Sequence, residues 1–81
     1  MTTKKILITG LAREATEESI AAWLGHFGPV KGVEIIRDGN AEAPVALVEM
    51  DIDDGAAAYL VSRLTDYWHE GQLVNARLLR H

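Results

Sequence analysis

The chain has 81 residues, a formal net charge of −4 and no cysteine. This length suits one domain with a modest core, and we expect residues 1–81 to form that single domain. The lack of cysteine excludes disulfides, thiol catalysis and cysteine-ligated metals. Apolar runs are too short for a membrane span or a signal peptide. We therefore expect an intracellular, cytoplasmic protein, or a nuclear one in a eukaryote.

A strand followed by a helix is predicted at the start of the chain. Residues 5–11 form a short run rich in apolar and β-branched side chains, with the turn residue Gly10 near its end. This pattern predicts a strand that is buried on at least one face. Thr16 is a suitable N-cap, and the apolar side chains after it recur every three or four positions. The pair Gly28-Pro29 is predicted to end this helix.

Two further strands are predicted to form a hairpin. Residues 30–36 and about 44–50 are rich in β-branched and other apolar side chains. Residues 37–40, between them, contain Asp-Gly, which favours a turn. The two strands are therefore expected to pair antiparallel across a loop of several residues.

A second helix and a last strand are predicted in the remaining chain. The helix begins near Asp53, where acidic side chains suit the helix dipole, and ends near residues 65–66. Residues 67–74 indicate a small hairpin or turn around Gly71. The last strand is predicted over residues 75–79.

The predicted order of elements is βαββαβ. Two split βαβ units of this kind give an α+β, ferredoxin-like sandwich, in which a four-stranded antiparallel sheet carries two helices on one face. The other face of the sheet stays uncovered. Because strand side chains alternate between the two faces, every second strand residue is expected on this open face.

The sequence resembles RNA recognition motif domains over nearly its whole length. No single segment carries the resemblance, but the segments in this order and at these spacings do. They are ILITGL at residues 6–11, TEESI at 16–20, HFGPV at 26–30, VEIIRD at 33–38 and VALVEM at 45–50.

The resemblance implies a module that binds single-stranded RNA on its open face. In the family, aromatic side chains of the first and third strands stack on bases, and a cation precedes the third-strand aromatics. The matching stacking positions here are Leu7, Val45 and Leu47, and the cation position is Ala43. The fold signature is therefore kept, while the binding positions are aliphatic.

The candidate binding residues combine this aliphatic patch with its polar and charged neighbours. Glu34 and Glu49 flank the patch and would repel phosphates. The candidate phosphate contacts are the cations Lys4, Lys5, Lys31, Arg37, Arg77 and Arg80. The complete candidate set for nucleic-acid or partner binding is Leu7, Thr9, Ile36, Val45, Leu47, Glu49, Lys5, Arg37 and Arg77.

Three interpretations of the aliphatic patch remain open. It can bind single-stranded RNA weakly or in an atypical way. It can instead hold a protein partner, either on the sheet face or through the Tyr67 and Trp68 region, since exposed aromatic residues are good anchors. It can also be a half-covered sheet packed under the C-terminal residues.

Catalytic and metal-binding functions have no support in the sequence. His26, His69 and His81 show no metal-ligand spacing. The serines have no histidine or aspartate at an evident catalytic spacing. We therefore expect a binding module without enzymatic activity, cofactor, metal or small-molecule substrate.

Overall fold

The computed structural model describes residues 3–37, 44–69 and 71–79. Within these residues it contains two helices and five strands. None of those helices is long and apolar enough to cross a membrane. In chain order the elements are β1 (Thr3–Thr9), α1 (Glu17–Leu24), β2 (Val30–Ile36), β3 (Val45–Asp51), α2 (Asp54–Arg63), β4 (Tyr67–His69) and β5 (Gln72–Leu79).

The strands form one antiparallel sheet in the order β2-β3-β1-β5-β4. The predicted α+β sandwich with its βαββαβ order is therefore confirmed, and β4 is an additional short strand. The predicted Asp-Gly turn falls on residues 38–40, which lie outside the described residues, as does Ala43.

The end of the chain differs from the predicted four-strand sheet. The last strand begins at Gln72 rather than Asn75, and it pairs with β4 from Tyr67↔Val74 to His69↔Gln72. Gly71 adopts a φ of +79° in the connecting turn, a conformation that glycine accepts without steric cost. The predicted hairpin around Gly71 is therefore present. Val74 is the only fully buried residue among those described in this hairpin. Its strands therefore lack the alternation of apolar and polar side chains by which a strand is predicted from sequence.

The first helix begins at the predicted cap, Thr16, and the second is capped by Asp53, near the residue where it was predicted to begin. The Thr16 hydroxyl oxygen accepts a hydrogen bond from the Ser19 backbone N–H, and the Ser19 hydroxyl accepts one from the Thr16 N–H, each at 3.1 Å. At α2 the Asp53 carboxylate accepts from the Ala56 N–H at 2.8 Å. These side chains satisfy backbone donors that have no partner within the helix.

The hydrophobic core lies between the sheet and the two helices. Along β1, Ile6 and Ile8 are fully buried, while Leu7 between them stays partly exposed on the opposite face. The same alternation holds along β3. The largest fully buried side chains are Ile6, Ile8, Ile20, Leu24, Pro44, Val48, Met50, Leu60, Leu64 and Val74.

Gly10 and Gly71 provide a matched test of a close backbone contact. Both have positive φ values, +82° and +79°, but a Cβ at Gly10 would collide with the Leu73 carbonyl oxygen, whereas a Cβ at Gly71 would meet open space. Gly71→Ala should lower the free energy of unfolding by about 1 kcal/mol through backbone strain alone. Gly10→Ala should lower it by about 3 kcal/mol, because the collision adds to the strain.

Urea unfolding of the two variants measures this difference. Equal losses of stability would show that the β1 end and the β5 backbone do not approach as closely as the structure has them.

Candidate nucleic-acid interface

The open face is defined by the side chains that point away from the helices. Its central row crosses four strands, from Glu34 on β2 to Leu47 on β3, Leu7 on β1 and Arg77 on β5, each opposite the next. Leu7 and Leu47 are partly exposed and adjacent. They form the middle of a small apolar surface.

The flanking rows extend this surface along the strands. On one side of the central row, Glu49 lies opposite Lys5, and Lys5 lies opposite Leu79. On the other side Ile36 lies opposite Val45, and Thr9 lies opposite Asn75. All the candidate residues except Arg37 thus share the open face. One interpretation was that the C-terminal residues pack over the open face. Arg80 and His81, at the end of the chain, lie outside the described residues.

Charge divides the open face into two halves. The β2–β3 half carries the exposed carboxylates Glu34 and Glu49, whereas the β1–β5 half carries Lys5 and Arg77. Lys4 does not add to the positive half. Alternation turns it to the helix side, where its Nζ pairs with the Asp54 carboxylate at 2.7 Å. A phosphate is therefore attracted to one half of the face and repelled by the other.

Arg37 lies apart from the aliphatic patch and holds a loop. Its Nη1 donates to the Arg13 carbonyl and its Nη2 donates to the Ala15 carbonyl, each at 2.8 Å. The guanidinium group thus joins the end of β2 to the loop between β1 and α1. The sequence shows the charge of Arg37, for which a phosphate contact stays a prediction, but not its backbone partners, 22 and 24 residues away.

Trp68 is the exposed aromatic residue on the open-face side of the β4–β5 hairpin. It lies opposite Leu73, and Leu73 is two residues from Asn75 on the same strand, so all three face the same way. Trp68 is 67% exposed and Leu73 is 42% exposed. Together they extend the apolar surface beyond the end of β1.

Tyr67 and His69 face the helix side instead. They stack on Trp23 of α1, with ring centroids 6.2 Å and 3.8 Å from the Trp23 ring and interplanar angles of 22° and 4°. The aromatic pair that the sequence suggested as one exposed region is therefore split. Tyr67 packs partly on a helix, and Trp68 remains available for contact.

Asn75 lies on the open face but is not among the site residues predicted from the sequence. Its Oδ1 accepts a hydrogen bond from the Asp66 backbone N–H at 3.0 Å, which ties β5 to the turn after α2. Asn75 also lines a groove of about 400 Å³ at the edge of the open face. Alternation from Arg77 could have placed it on this face, but no motif marks it. The groove is lined by Leu7, Thr9, Thr65, Asn75, Ala76 and Arg77.

The described residues contain no group of three or more histidine or acidic side chains arranged to hold a metal ion. The interface therefore consists of aliphatic side chains, one exposed tryptophan, hydrogen-bond donors and a few charges. Such a set can bind by contact, stacking and hydrogen bonding.

A βαββαβ sandwich that displays strand side chains on an uncovered sheet face defines a class of small binding modules. The family model described as RNA recognition motif matches residues 6–64 of this chain. Because that match spans more than half of its length, the protein belongs to the RNA recognition motif family, a family of non-enzymatic domains that generally bind RNA.

Solved structures share this fold at low sequence identity. The Mip6 RRM3 domain is 19% identical, with a TM-score of 0.79 and coverage of 91% of this chain and 89% of that one. The Rna15 RRM with bound RNA (GU) is 20% identical, with a TM-score of 0.73 and coverage of 90% and 79%. The MEC-8 C-terminal RRM domain bound to AGCACA is 15% identical, with a TM-score of 0.78 and coverage of 100% and 95%. A comparison with curated protein sequences gave no match.

Arg37→Ala should loosen the loop between β1 and α1. The variant leaves two backbone carbonyls without their donors, so we expect a loss of about 1–2 kcal/mol in the free energy of unfolding. The amide NMR shifts of residues 12–15 should change most. Arg37→Lys, which keeps the charge but not the two-pronged contact, should show most of the same effect. If Arg37→Lys is as stable as the wild-type protein, the positive charge of Arg37 stabilises the loop and its two hydrogen bonds do not.

Proposed function

We propose that this domain binds a short segment of single-stranded RNA through the β1–β5 half of its open face. The observation that carries the proposal is the placement of Leu7 between two cations, Lys5 two residues along the same strand and Arg77 opposite on β5. An apolar surface bordered by cations accepts both parts of a nucleotide, the base on the side chain and the phosphate at the charge.

The affinity is expected to be weak. Stacking one base on an aromatic side chain contributes about 1–3 kcal/mol, and the aliphatic Leu7, Val45 and Leu47 supply only part of that. Among the described residues, the exposed aromatic ring on this side of the sheet is Trp68. We infer that Trp68 supplies the stacking contact that the usual strand positions lack.

The RNA path is expected to avoid β2 and β3. Glu34 and Glu49 project from that half of the open face, and each would repel a phosphate brought close to it. The strand is therefore held along β1, β5 and the β4–β5 hairpin. The RNA would therefore contact fewer strands than it would if it crossed the whole sheet.

The comparisons support RNA as the ligand class, since the Rna15 domain of the same fold is described with bound RNA (GU) and the MEC-8 domain with bound AGCACA. With RNA as the ligand, we further propose an intracellular domain that acts without enzymatic activity, cofactor or small-molecule substrate. We propose that residues 1–81 form one domain.

The salt dependence of RNA binding tests the role of Lys5. Association of the wild-type chain with a randomised single-stranded RNA should weaken as salt rises, and Lys5→Ala should reduce the slope of log K against log salt by about 0.7 for one lost phosphate contact. Arg63→Ala is the control, because Arg63 is an exposed cation in the last turn of α2, away from the sheet face. It should leave the slope unchanged.

The same titration followed by amide NMR locates the contact. Resonances of Leu7, Thr9 and Arg77 should shift on the addition of RNA at low salt. If no open-face resonance moves, the proposed RNA binding is wrong.

A protein partner is the second candidate function. The observation that favours it is the contiguous pair of exposed apolar side chains, Trp68 and Leu73, at the edge of the sheet. A tryptophan that becomes buried when a partner binds is often at the centre of a protein interface. Such binding would depend little on salt and would be lost on Leu47→Asp if the partner also covered the aliphatic patch.

Trp68→Ala separates the two candidates. If Trp68 stacks on a base, the variant should weaken RNA binding about tenfold or more. Tyr59→Ala is the matched control, since Tyr59 is 60% exposed but lies on α2, and it should leave RNA binding unchanged. Undiminished RNA affinity in Trp68→Ala would assign this side chain to the protein partner instead.

A further inference from the structure

The orientation of the Asn75 amide is determined by its backbone partner. The Asp66 N–H can only donate, so the Asn75 atom 3.0 Å from it is the oxygen. The Asn75 nitrogen, with its two N–H donors, is thereby turned away from Asp66. Asn75 lines the open-face groove, so the N–H donors are the part of this amide that a ligand there can use without competing with the Asp66 N–H.

Arg77 adds further donors to the same groove. It is exposed, lies two residues from Asn75 on the same face of β5, and is opposite Leu7. Two residues along a strand are about 7 Å apart, so one base can reach both side chains. The planar guanidinium group carries five N–H donors and can bind two neighbouring acceptors at once.

The hydroxyl groups of the groove direct their hydrogens elsewhere. The Thr65 hydroxyl donates to the Val61 carbonyl at 2.7 Å, and the Thr9 hydroxyl lies 3.5 Å from the Asn75 carbonyl, to which it donates. The carboxylates of the open face, Glu34 and Glu49, are not among the groove-lining residues. The side-chain donors that face a ligand therefore come from Asn75 and Arg77.

A surface of clustered donors selects a base edge with adjacent acceptors. Guanine has O6 and N7 side by side, and arginine binds this pair in a bidentate manner. Adenine places its N6 donor beside N7, and uracil places its N3–H beside O4, so each would bring a donor against a donor. Cytosine has neighbouring acceptors at O2 and N3, but its single ring covers less of the Leu7 side chain than a purine does.

We propose that the groove formed by Leu7, Asn75 and Arg77 is a guanine-reading subsite, with the base resting on Leu7 and its O6/N7 edge bound by the two donor side chains. This inference rests on the proposed RNA binding and deepens it. It assigns base preference to two residues of β5 rather than to the stacking positions of β1 and β3.

Heptamer RNAs with six adenosines and one variable central nucleotide test the subsite with the full chain. Fluorescence anisotropy would compare guanosine, adenosine, uridine, cytidine and 7-deazaguanosine at the centre. The guanosine heptamer should bind about tenfold more tightly than the adenosine and uridine heptamers. The 7-deazaguanosine heptamer, which lacks the N7 acceptor, should lose most of this preference.

Two variants isolate the residues responsible. Arg77→Lys keeps the charge but loses the bidentate geometry, so it should bind the adenosine heptamer nearly as the wild-type chain does while its guanosine preference falls to about twofold. Asn75→Asp keeps the acceptor for the Asp66 N–H but removes both amide donors, and its guanosine preference should fall similarly. Arg63→Lys, on the helix side, should change neither quantity.

The outcomes distinguish this inference from the proposed function. Heptamers that all bind equally, or a guanosine preference that survives both β5 variants, would overturn the subsite and leave RNA binding intact. A cytidine heptamer as tight as the guanosine one would overturn the assignment to guanine. If no heptamer binds, the subsite and the proposed RNA function are both wrong.

Discussion

The alternation of side chains along β1 is the constraint on which the rest of the structure depends. β1 is the central strand of the sheet, paired with β3 on one side and β5 on the other. Ile6 and Ile8 enter the core, while Lys5, Leu7 and Thr9 face outward. A register slip of one residue would exchange these two sets. The same packing that stabilises the fold therefore also determines which residues can meet a ligand.

The family and the particular binding surface are encoded by different residues. The buried side chains and helix caps satisfy the requirements of the RNA recognition motif fold. The positions that would normally stack on bases can change without loss of the core, because they lie on the other face of the same strands. In this chain they are aliphatic, and the exposed carboxylates Glu34 and Glu49 lie on the β2–β3 half of the same face.

The short β4–β5 hairpin adds exposed apolar side chains at the end of the open face. Its pairing places Trp68 and Leu73 on the side of the open face, while Tyr67 stacks on Trp23. The hydrogen bond from the Asp66 N–H to Asn75 holds the turn that leads into this hairpin. The hairpin therefore links the turn after α2 to the far end of the candidate interface.

The sequence by itself determined the βαββαβ order, the Thr16 cap and the two faces of β1 and β3, because hydrophobic periodicity and capping are local properties of the chain. Leu7, Val45 and Leu47 were placed correctly by the two-residue repeat alone. Only the tertiary structure decided that Arg37 holds the loop between β1 and α1, that Tyr67 and Trp68 face opposite sides of the sheet, and that Asn75 accepts a hydrogen bond from the Asp66 backbone. Each of these depends on a partner 9 to 44 residues away, and no local pattern encodes which groups the folded chain brings together.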